Sequence, residues 1–322
     1  MKDSVLAIRN LSVDYQIEAG RLQALRQVNI DVEKGSIVGV VGESGCGKST
    51  LISSIIRLLP QNAIIRDGTV EFEGSNLLDL NDEEIRAMRG TKISVVFQDP
   101  MTSLNPVLSI QQQMMHIQYR DQTSRSAKLK KSLALLESVG IADPRTRITQ
   151  FPHEYSGGML QRISIAMALQ AQPSLLIADE PTTALDATLE VQIIHLLKDI
   201  QSKVGCSILF ISHHLGVIAE LCDSVVVMYA GEVVEHGTVK DVFHNPAHPY
   251  TRKLLECDPA GIQSKTRILP VIPGEIPNLV NLSDGCIFRS RCQSALPVCE
   301  THVPQKHEIT SSHSAKCHQL KA

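Results

Sequence analysis

The sequence predicts an α/β fold organised around a phosphate-binding loop. An apolar run at 35–41 is followed at once by a glycine-rich loop and then by a helical segment, 50–59, that stops at Pro60. A second apolar run, 174–178, ends in the adjacent acids Asp179 and Glu180. Short apolar runs of this kind are typical of buried parallel strands. Both runs therefore predict strands that deliver functional side chains at their carboxyl ends.

Length and composition indicate a globular protein with one large domain or two of ordinary size. The chain has 322 residues, 43% of them hydrophobic, and a formal net charge of −3. Such a charge gives no broad positive surface, so no nucleic acid is expected as a partner. The N-terminal residues lack the pattern of a secretory signal, and no apolar run approaches the roughly 20 residues that span a bilayer. We expect a cytoplasmic protein with reduced cysteines.

The glycine-rich loop fits the pattern GxxxxGK[ST], which is typical of P-loop NTPases. Glycines let backbone N–H groups close around phosphate oxygens, and the helix that follows directs its positive end at them. We expect Lys48 to reach the β- and γ-phosphates and Ser49 to bind Mg²⁺. Cys46 stands at a variable position and is expected to be a small filler. The loop residues predicted to line the nucleotide are Gly42, Ser44, Gly45, Cys46, Gly47, Lys48, Ser49 and Thr50.

The acidic pair after the second strand supplies the other parts of a hydrolytic site. Asp179 is expected to support Mg²⁺. Glu180 would lie beside the γ-phosphate, where a carboxylate can polarise or deprotonate the attacking water. The alternative is a solvated acidic turn. The phosphate-loop motif upstream disfavours it, and charged residues rarely end apolar strands.

Further segments resemble the motifs of ABC-transporter ATPases, in the order in which that family has them. SGGMLQR at 156–162 is similar to the family's signature, and Ala184-Leu185-Asp186 is similar to the loop at its dimer interface. Tyr15 resembles the aromatic residue that stacks on adenine, although it could be an ordinary strand aromatic. Gln98 resembles the glutamine that senses the γ-phosphate, and His213 the switch histidine. Both could instead be polar strand ends.

The resemblance implies a fold, a cofactor and site residues. The fold is a P-loop NTPase (RecA-like) core with an antiparallel β subdomain, and an α-helical subdomain inserted at about 99–170 in an ATPase domain at 1–240. The cofactor is ATP with Mg²⁺, whose implied ligands are Ser49, Gln98 and Asp179. The implied catalytic residues are Lys48, Gln98, Glu180 and His213. The residues implied to bind ATP outside the loop are Tyr15, Gln98, Asp179, Ser156, Gly157 and Gly158.

The signature segment favours a pair of subunits. Its small residues open a second helix that could approach phosphate closely, but the helix after the phosphate loop already serves that nucleotide. Each signature would therefore close the ATP site of another subunit. Two positions depart from the family pattern, since Tyr155 stands where Leu is frequent and His214 where Asp is frequent. Neither change removes a predicted phosphate contact, and only the register favours His213 over His214 as the switch residue.

Three longer segments look like the dipeptide, oligopeptide and nickel importer subfamily, namely 97–106, 178–186 and 245–255. The third lies in a C-terminal extension, 241–322, which several prolines divide into loops and short elements. The resemblance implies two membrane permease subunits and a sister ATPase subunit as partners, and an extracellular solute-binding protein as an indirect one. It also implies a peripheral location at the cytoplasmic face of the membrane.

Four cysteines of the extension follow the spacing C-x5-C-x6-C-x17-C, and they are Cys286, Cys292, Cys299 and Cys317. Most zinc sites contain a tighter C-x2-4-C pair, whereas wide thiolate spacing suits a cubane cluster. The resemblance associates this tail with a [4Fe–4S] cluster, which we favour over Zn²⁺ and over free buried thiols. The nearby histidines that could replace a ligand are His302, His307, His313 and His318. The cysteines expected in the core are Cys206, Cys222 and Cys257.

The motifs favour the ATP-hydrolysing subunit of a bacterial ABC importer that takes up di- or oligopeptides. The same machinery could import nickel or a metal chelate, because the chain does not encode the solute. A soluble ABC-type ATPase that acts on ribosomes or DNA is disfavoured by the single signature and by the lack of sustained heptads. A redox or metal sensor with a degenerate cassette is disfavoured by the intact Lys48, Asp179, Glu180 and His213.

Overall fold

The computed structural model describes residues 3–183, 185–258, 269–280, 282 and 284–320. The chain divides into two compact units. The first unit comprises Met1–Glu33, Ile37–Leu80 and Ile211–Ala322, and the second comprises Lys34–Ser36 and Asn81–Phe210. The predicted extension is thus described except at 259–268, 281, 283 and 321–322.

The regular elements are given in chain order. The strands in the described residues are β1 (Ser4–Ile17), β2 (Gly20–Glu33), β3 (Ile37–Val41), β4 (Ala63–Phe72), β5 (Ser75–Asn76), β6 (Ile93–Val96), β7 (Leu175–Asp179), β8 (Ser207–Ile211), β9 (Ser224–Tyr229), β10 (Glu232–Thr238), β11 (Lys306–Glu308) and β12 (Ser314–Lys316). The helices there are α1 (Lys48–Ile55), α2 (Asp82–Met88), α3 (Pro100–Ser103), α4 (Ile110–Ile117), α5 (Arg125–Ser138), α6 (Pro144–Arg147), α7 (Gly157–Leu169), α8 (Ala187–Val204), α9 (Leu215–Leu221), α10 (Val239–His244) and α11 (Pro249–Glu256). Short 3-10 helices lie at Pro152–Glu154, Arg289–Arg291 and Pro297–Glu300.

The first unit contains an antiparallel sheet with the strand order β2-β1-β4-β5. Alternate residues of β1 face the core, since Leu6 and Ile8 are fully buried. A register shift follows Ile8, where Asn10 has a φ of 50°. Such a bulge resets the alternation, so that Leu11 and Val13 are also buried. The sheet confirms the predicted antiparallel β subdomain.

The first unit also contains a mixed set of strands in the order β11-β12-β10-β9-β3. β3 pairs in parallel with β9, whereas β10 is antiparallel to both β9 and β12. All five residues of β3 are buried, as its apolar sequence predicts. Gly39 lets α9 approach this strand, because a Cβ there would lie 2.9 Å from Ile218 Cδ1. Strand, loop and helix confirm the predicted α/β class.

Helix α1 starts and ends earlier than the sequence predicts. It runs from Lys48 to Ile55 instead of 50–59. Arg57 has a left-handed φ of 50°, which ends the helix well before Pro60. The guanidinium of Arg57 donates to the carbonyl oxygens of Leu77 and Leu80, so a tertiary contact takes the place of the predicted last turn.

In the second unit, β8, β7 and β6 are neighbours, and β6 and β7 run parallel. The first four residues of β7 are buried and Asp179 at its end is half-buried. Helix α7 packs against α3, α5 and β6. None of the described helices is both long and apolar enough to cross a bilayer. The predicted domain boundary near residue 240 and the predicted helical insert at about 99–170 stay predictions.

The start of α11 is fixed by buried polar groups in the C-terminal region. Glu235 of β10 accepts the backbone N–H of Ala247 at 2.7 Å and that of His248 at 2.8 Å. Nε2 of His313 lies 2.7 Å from the same carboxylate. Nδ1 of His248 accepts the N–H of Tyr250 at 3.0 Å and so caps the helix. Burial, with a smaller effect of Arg252, lowers the pKa of His248 from 6.5 to about 3, which keeps the ring neutral.

We predict that His248 makes the folded protein sensitive to acid. Between pH 6.5 and about 3 the unfolded chain protonates this imidazole and the folded chain does not. The unfolded state then binds more protons than the folded state. The contribution of His248 to the free energy of unfolding is therefore fully present above pH 6.5, and it falls as the pH falls, by up to about 1.4 kcal/mol per pH unit. Replacing His248 with Asn, which can also cap a helix, should flatten this slope. Denaturant unfolding between pH 7 and pH 4 measures it.

The matched control is His244→Asn, because His244 is exposed at the end of α10. The control should retain the slope of the wild type. An identical slope in His248→Asn and in the wild type would contradict the prediction.

Candidate nucleotide-binding site

The phosphate loop at 42–47 joins β3 to α1 in the first unit, and its glycines are dictated by space. A Cβ at Gly42 would lie 2.2 Å from the carbonyl oxygen of Met228. Gly47 has a φ of 104°, and a Cβ there would lie 2.8 Å from the carbonyl oxygen of Ala24. Only glycine avoids these contacts, since real Cβ atoms do not approach backbone so closely. The loop therefore presents bare backbone to a ligand, as a phosphate site requires.

Lys48 is the first residue of α1 and folds back over the loop. Its buried side chain donates from Nζ to the carbonyl oxygens of Gly42 at 2.7 Å and Glu43 at 3.3 Å. The N–H of Cys46 also donates to the Glu43 oxygen, at 3.2 Å. Ser49 follows, exposed, at the start of the helix. An ammonium group at a helix N-terminus suits a phosphate. A hydroxyl oxygen beside it suits Mg²⁺, which prefers oxygen ligands.

Two further predicted residues lie at this loop. Cys46 is 1% exposed, burial raises the pKa of its thiol, and a Cβ at Gly42 would meet its Sγ at 2.6 Å. These contacts agree with the predicted filler role. Tyr15, half-buried on β1, shares a hydrogen bond of 3.2 Å between its hydroxyl and that of Thr50. The structure thus brings the predicted adenine-stacking residue to the first turn of α1.

The two candidate switch histidines follow β8. Both His213 and His214 are exposed, and their rings meet edge to face with centroids 4.6 Å apart. Ser212 donates its N–H to the carbonyl oxygen of Val40 at 3.2 Å, next to the end of β3, and its hydroxyl accepts the His214 N–H at 2.9 Å. The segment after β8 therefore places two exposed imidazoles near the end of β3. The choice of His213 as the switch residue stays a prediction.

In the second unit, strand register brings Gln98 and Glu180 together. Val96 of β6 pairs with Ala178 of β7, so each functional residue lies two positions beyond the last pair. Gln98 Nε2 donates to Glu180 Oε2 at 3.4 Å, and the Thr183 hydroxyl donates to the same oxygen at 3.1 Å. Glu180 has a left-handed φ of 45°, a conformation that is costly outside glycine and concentrated at functional sites. Two donors and the backbone orient this carboxylate.

The predicted signature forms the N-terminus of α7. Ser156 caps the helix, its hydroxyl accepting the N–H of Met159 at 3.4 Å. Ser156 and Gly157 are exposed, and nothing lies within 4 Å of a Cβ built on Gly157. A Cβ on Gly158 would lie 2.7 Å from Leu189 Cδ1, so this glycine lets α8 approach. The N-terminus of α7 is therefore exposed at Gly157 and in contact with α8 at Gly158.

The predicted interface loop leads into α8. Asp186 caps this helix, since its Oδ1 accepts the N–H of Leu189 at 2.9 Å. The N–H of Leu185 donates to the carbonyl oxygen of Thr182 at 3.2 Å. Ala184, the first residue of the predicted motif, lies outside the described residues. The described part is an ordered turn with an N-capped helix after it.

Comparison with known proteins agrees with these motifs. The family model for ABC transporters matches residues 25–183, and that for the oligopeptide/dipeptide transporter C-terminal region matches 234–299. The dipeptide transport ATP-binding protein DppD of Bacillus subtilis is 45% identical over 98% of this chain and 94% of its own length. This chain belongs to the ATP-binding subunits of ABC transporters, in the dipeptide/oligopeptide subfamily. It is an ABC-type ATPase coupled to transport.

Other proteins resemble this ABC ATPase over similar lengths. A probable peptide ABC transporter ATP-binding protein of Sinorhizobium fredii is 46% identical over 98% of this chain and 95% of its own. A solved dimeric ABC cassette in a post-hydrolysis state with ADP and phosphate is 28% identical, with a TM-score of 0.65. It covers 73% of this chain, which covers 98% of it. These matches confirm the predicted P-loop NTPase fold.

The four predicted ligand thiols lie in one part of the C-terminal region of this ATPase. The Cys286 N–H donates to the Cys299 carbonyl oxygen at 2.8 Å. Burial raises the pKa of the Cys286 thiol to about 11, with smaller effects of the other three thiols, and burial also raises the pKa values of Cys292 and Cys317. Cys286 therefore lies close enough to the other three thiols to interact with them electrostatically.

The predicted iron–sulfur cluster is not supported by this structure, and neither is the Zn²⁺ alternative. Within residues 3–183, 185–258, 269–280, 282 and 284–320, no group of three or more His, Cys, Asp or Glu side chains is arranged to hold a metal ion. Ligand atoms have to converge on one centre at about 2.3 Å, a stricter demand than shared neighbourhood. Two of the four nearby histidines have other partners, since His313 binds Glu235 and His318 Nε2 donates to the His302 carbonyl oxygen.

The sequence motifs did not predict one contact between the phosphate loop and the C-terminal region. Arg291 donates to the carboxylate of Glu43, and the Tyr250 hydroxyl accepts the Glu43 N–H. Glu43 fills a variable position of the loop pattern, and the partners lie more than 200 positions away in the sequence. No local spacing could indicate the pairing, although Tyr250 lies in the subfamily segment at 245–255.

We predict that Gly42→Ala destabilises the first unit and weakens Mg-ATP binding. The new Cβ would meet the backbone of β9, which cannot move aside as a flexible side chain could. Overpacking of this kind costs about 1–3 kcal/mol. Thermal unfolding and Mg-ATP titration measure both effects. Gly216→Ala is the control, because nothing lies within 4 Å of a Cβ at that position of α9. A wild-type unfolding temperature in Gly42→Ala would show the space argument to be wrong.

Proposed function

We propose that this ATPase powers the uptake of di- or oligopeptides by a bacterial importer. The observation that carries the proposal is the match of 234–299 to the oligopeptide/dipeptide transporter C-terminal region, in a chain similar along 98% of its length to a dipeptide transport ATP-binding protein. The same C-terminal region packs against the phosphate loop through Tyr250. Substrate class is therefore inferred from the region that lies outside the ATPase match.

The phosphate loop would bind ATP in the following way. ATP with Mg²⁺ supplies the phosphoanhydride that is cleaved and the cation that offsets its charge. Backbone N–H groups of the loop and the N-terminus of α1 receive the phosphates, and Lys48 releases loop carbonyl oxygens to contact the β- and γ-phosphates. Ser49, Asp179 and Gln98 provide oxygen atoms suited to Mg²⁺. The ring of Tyr15 would stack on adenine.

Glu180 would act as the general base. Its carboxylate accepts from Gln98 and Thr183, which hold one oxygen and direct the group from the end of β7. The carboxylate would take a proton from the attacking water as that water bonds to the γ-phosphorus and the bond from the γ-phosphorus to the bridging oxygen of the departing ADP breaks, and His213 would contact the γ-phosphate. Gln98, which follows β6, would connect the carboxylate to the helical insert predicted at about 99–170, and we propose that this insert contacts the membrane partners. Hydrolysis and coupling therefore share one side-chain contact.

The exposed signature suits a partner subunit. Ser156 and Gly157 open α7 with its positive end toward solvent, where another subunit's phosphate can approach. Two ATPase subunits would enclose two nucleotides head to tail, with a sister ATPase favoured as the second subunit. Two membrane permeases complete the importer, and an extracellular solute-binding protein delivers the peptide. The ATPase would lie at the cytoplasmic face of the membrane.

We predict that a strain lacking this chain fails to grow on di- or oligopeptides as the source of a required amino acid. The wild-type chain should restore growth. Lys48→Ala should not restore it, because ATP binding is lost. Glu180→Gln should also fail, since loss of a general base lowers the hydrolysis rate by about 10²- to 10⁴-fold. Purified Glu180→Gln should nevertheless bind Mg-ATP, which separates binding from hydrolysis.

The same strain tests the nickel importer. Normal growth on peptides with lost activity of a nickel-dependent enzyme would move the solute to nickel and leave the ATPase mechanism intact. Hydrolysis by Glu180→Gln at the wild-type rate would contradict the general-base assignment.

We predict that Gly157→Ala lowers the ATPase rate of the assembled transporter about tenfold or more, because misplacement at a phosphate contact is that costly. The added methyl group has room within the subunit. Unfolding temperature and Mg-ATP affinity of the isolated chain should therefore equal those of the wild type. An unchanged transporter rate would argue against the enclosed pair, and a loss of affinity in the isolated chain would place the signature at its own nucleotide. Gly216→Ala again serves as the control.

A further inference from the structure

The first variable residue of the phosphate loop, Glu43, is held by two side chains of the C-terminal region. Its backbone N–H donates to the Tyr250 hydroxyl at 3.0 Å. Its carboxylate receives Nη1 of Arg291 on one oxygen at 2.7 Å and Nη2 on the other at 3.1 Å. A two-point guanidinium–carboxylate pair fixes orientation as well as distance. Main chain and side chain of Glu43 are thus both anchored from outside the loop.

Arg291 is itself held rigidly. Its side chain is 4% exposed, and Nε donates to the carbonyl oxygen of Pro273 at 2.9 Å. Nη2 also donates to the carbonyl oxygen of Ile272 at 3.2 Å, and Nη1 lies 3.4 Å from the Tyr229 hydroxyl. The guanidinium carbon is 5.7 Å from the centre of the Tyr229 ring. A buried cation with so many partners has little freedom, so it transmits the position of its segment to Glu43.

Tyr250 is equally fixed. It is fully buried, and its ring packs against those of Tyr229 and Phe288 with centroid distances of 4.7 and 5.5 Å. Burial raises the pKa of its hydroxyl, which stays protonated and neutral. The hydroxyl oxygen is therefore a permanent acceptor for the loop.

The inner side of Glu43 faces the nucleotide machinery. Its carbonyl oxygen accepts from Nζ of Lys48 and from the N–H of Cys46, at 3.3 and 3.2 Å. Displacement of Glu43 would therefore shift both the loop turn and the resting position of the lysine ammonium. Loss of the outer contacts of Glu43 would therefore also displace the groups that receive phosphate.

We propose that Arg291 is a positioning residue of the ATPase. Together with Tyr250 it fixes Glu43, and thereby holds the phosphate loop in the conformation that receives Mg-ATP. The role rests on the ATP-binding site proposed above. It concerns nucleotide affinity, because the residue contacts the loop and not the reacting atoms. The C-terminal region that marks the peptide-transporter subfamily then contributes to the ATP site.

The test compares the full-length protein, in its assembled transporter, with Arg291→Gln. The KM for Mg-ATP should rise about tenfold while kcat changes less than about twofold, because the loop is misplaced before the chemical step. Arg291→Lys should recover only part of the affinity, since an ammonium cannot bind both carboxylate oxygens in a fixed plane. Glu43→Gln combined with Arg291→Gln should be no worse than Arg291→Gln alone, because the two residues act as one pair.

Two further variants separate positioning from folding. Tyr250→Phe keeps the packed ring and removes one acceptor, and it should raise KM in the same direction even if Arg291→Gln folds poorly. Arg289→Gln is the matched control, because Arg289 lies in the same 3-10 helix and donates to the carbonyl oxygens of Asp284 and Glu300, both at 2.6 Å. It should lower the unfolding temperature and leave KM unchanged.

Unchanged KM in both Arg291→Gln and Tyr250→Phe overturns the positioning role, and so does an equal rise of KM in Arg289→Gln. These outcomes leave the ATPase function intact, because the wild type still hydrolyses ATP. Failure of the wild type to bind Mg-ATP, or binding by Lys48→Ala with wild-type affinity, overturns the proposed function itself.

Discussion

A loop that wraps backbone N–H groups around phosphate has few side chains of its own to hold it in place. This constraint organises the first unit of the ABC ATPase. On the inner side, Gly42 and Gly47 lie so close to neighbouring backbone that no Cβ fits. Lys48 draws the loop together through its carbonyl oxygens. On the outer side, Tyr250 and Arg291 of the C-terminal region provide the polar contacts that the loop lacks.

In the described residues of the C-terminal region the helices and strands are short, and buried charged side chains determine the path of the chain. Glu235 binds the N–H groups of Ala247 and His248 and the ring of His313, which joins β10 to two distant segments. Arg291 joins a third segment to the phosphate loop. A buried charge is costly unless its partners are in place, so each of these groups favours one arrangement of the segments around it.

Continuous motifs made the nucleotide residues predictable, because loop, strand end and helix start follow one another along the chain. Glu180 follows the predicted strand β7, whereas Lys48 lies in the first position of α1 and not in the loop before a helix that starts at residue 50. The contact of Gln98 with Glu180 depends on strand register, and that of Arg291 with Glu43 on a separation of 248 positions. Neither is encoded by local spacing. Cysteine spacing is likewise not sufficient to define a metal site, since it indicates which thiols gather but not whether their sulfur atoms share a centre.

The two positions that depart from the family pattern differ in burial, since Tyr155 is buried and His214 is exposed. The Tyr155 ring is buried beside the signature, and burial raises the pKa of its hydroxyl to about 12, so that this group stays protonated and donates to the Arg147 carbonyl oxygen. The phenol is therefore satisfied without reaching Ser156. His214 is exposed and meets His213 only by a ring edge. Gly42 and Gly47 admit no side chain, because backbone occupies the space a side chain would fill. The glycines of the loop are thus fixed by neighbouring backbone, whereas the Tyr155 hydroxyl is accommodated by a hydrogen bond to a carbonyl oxygen.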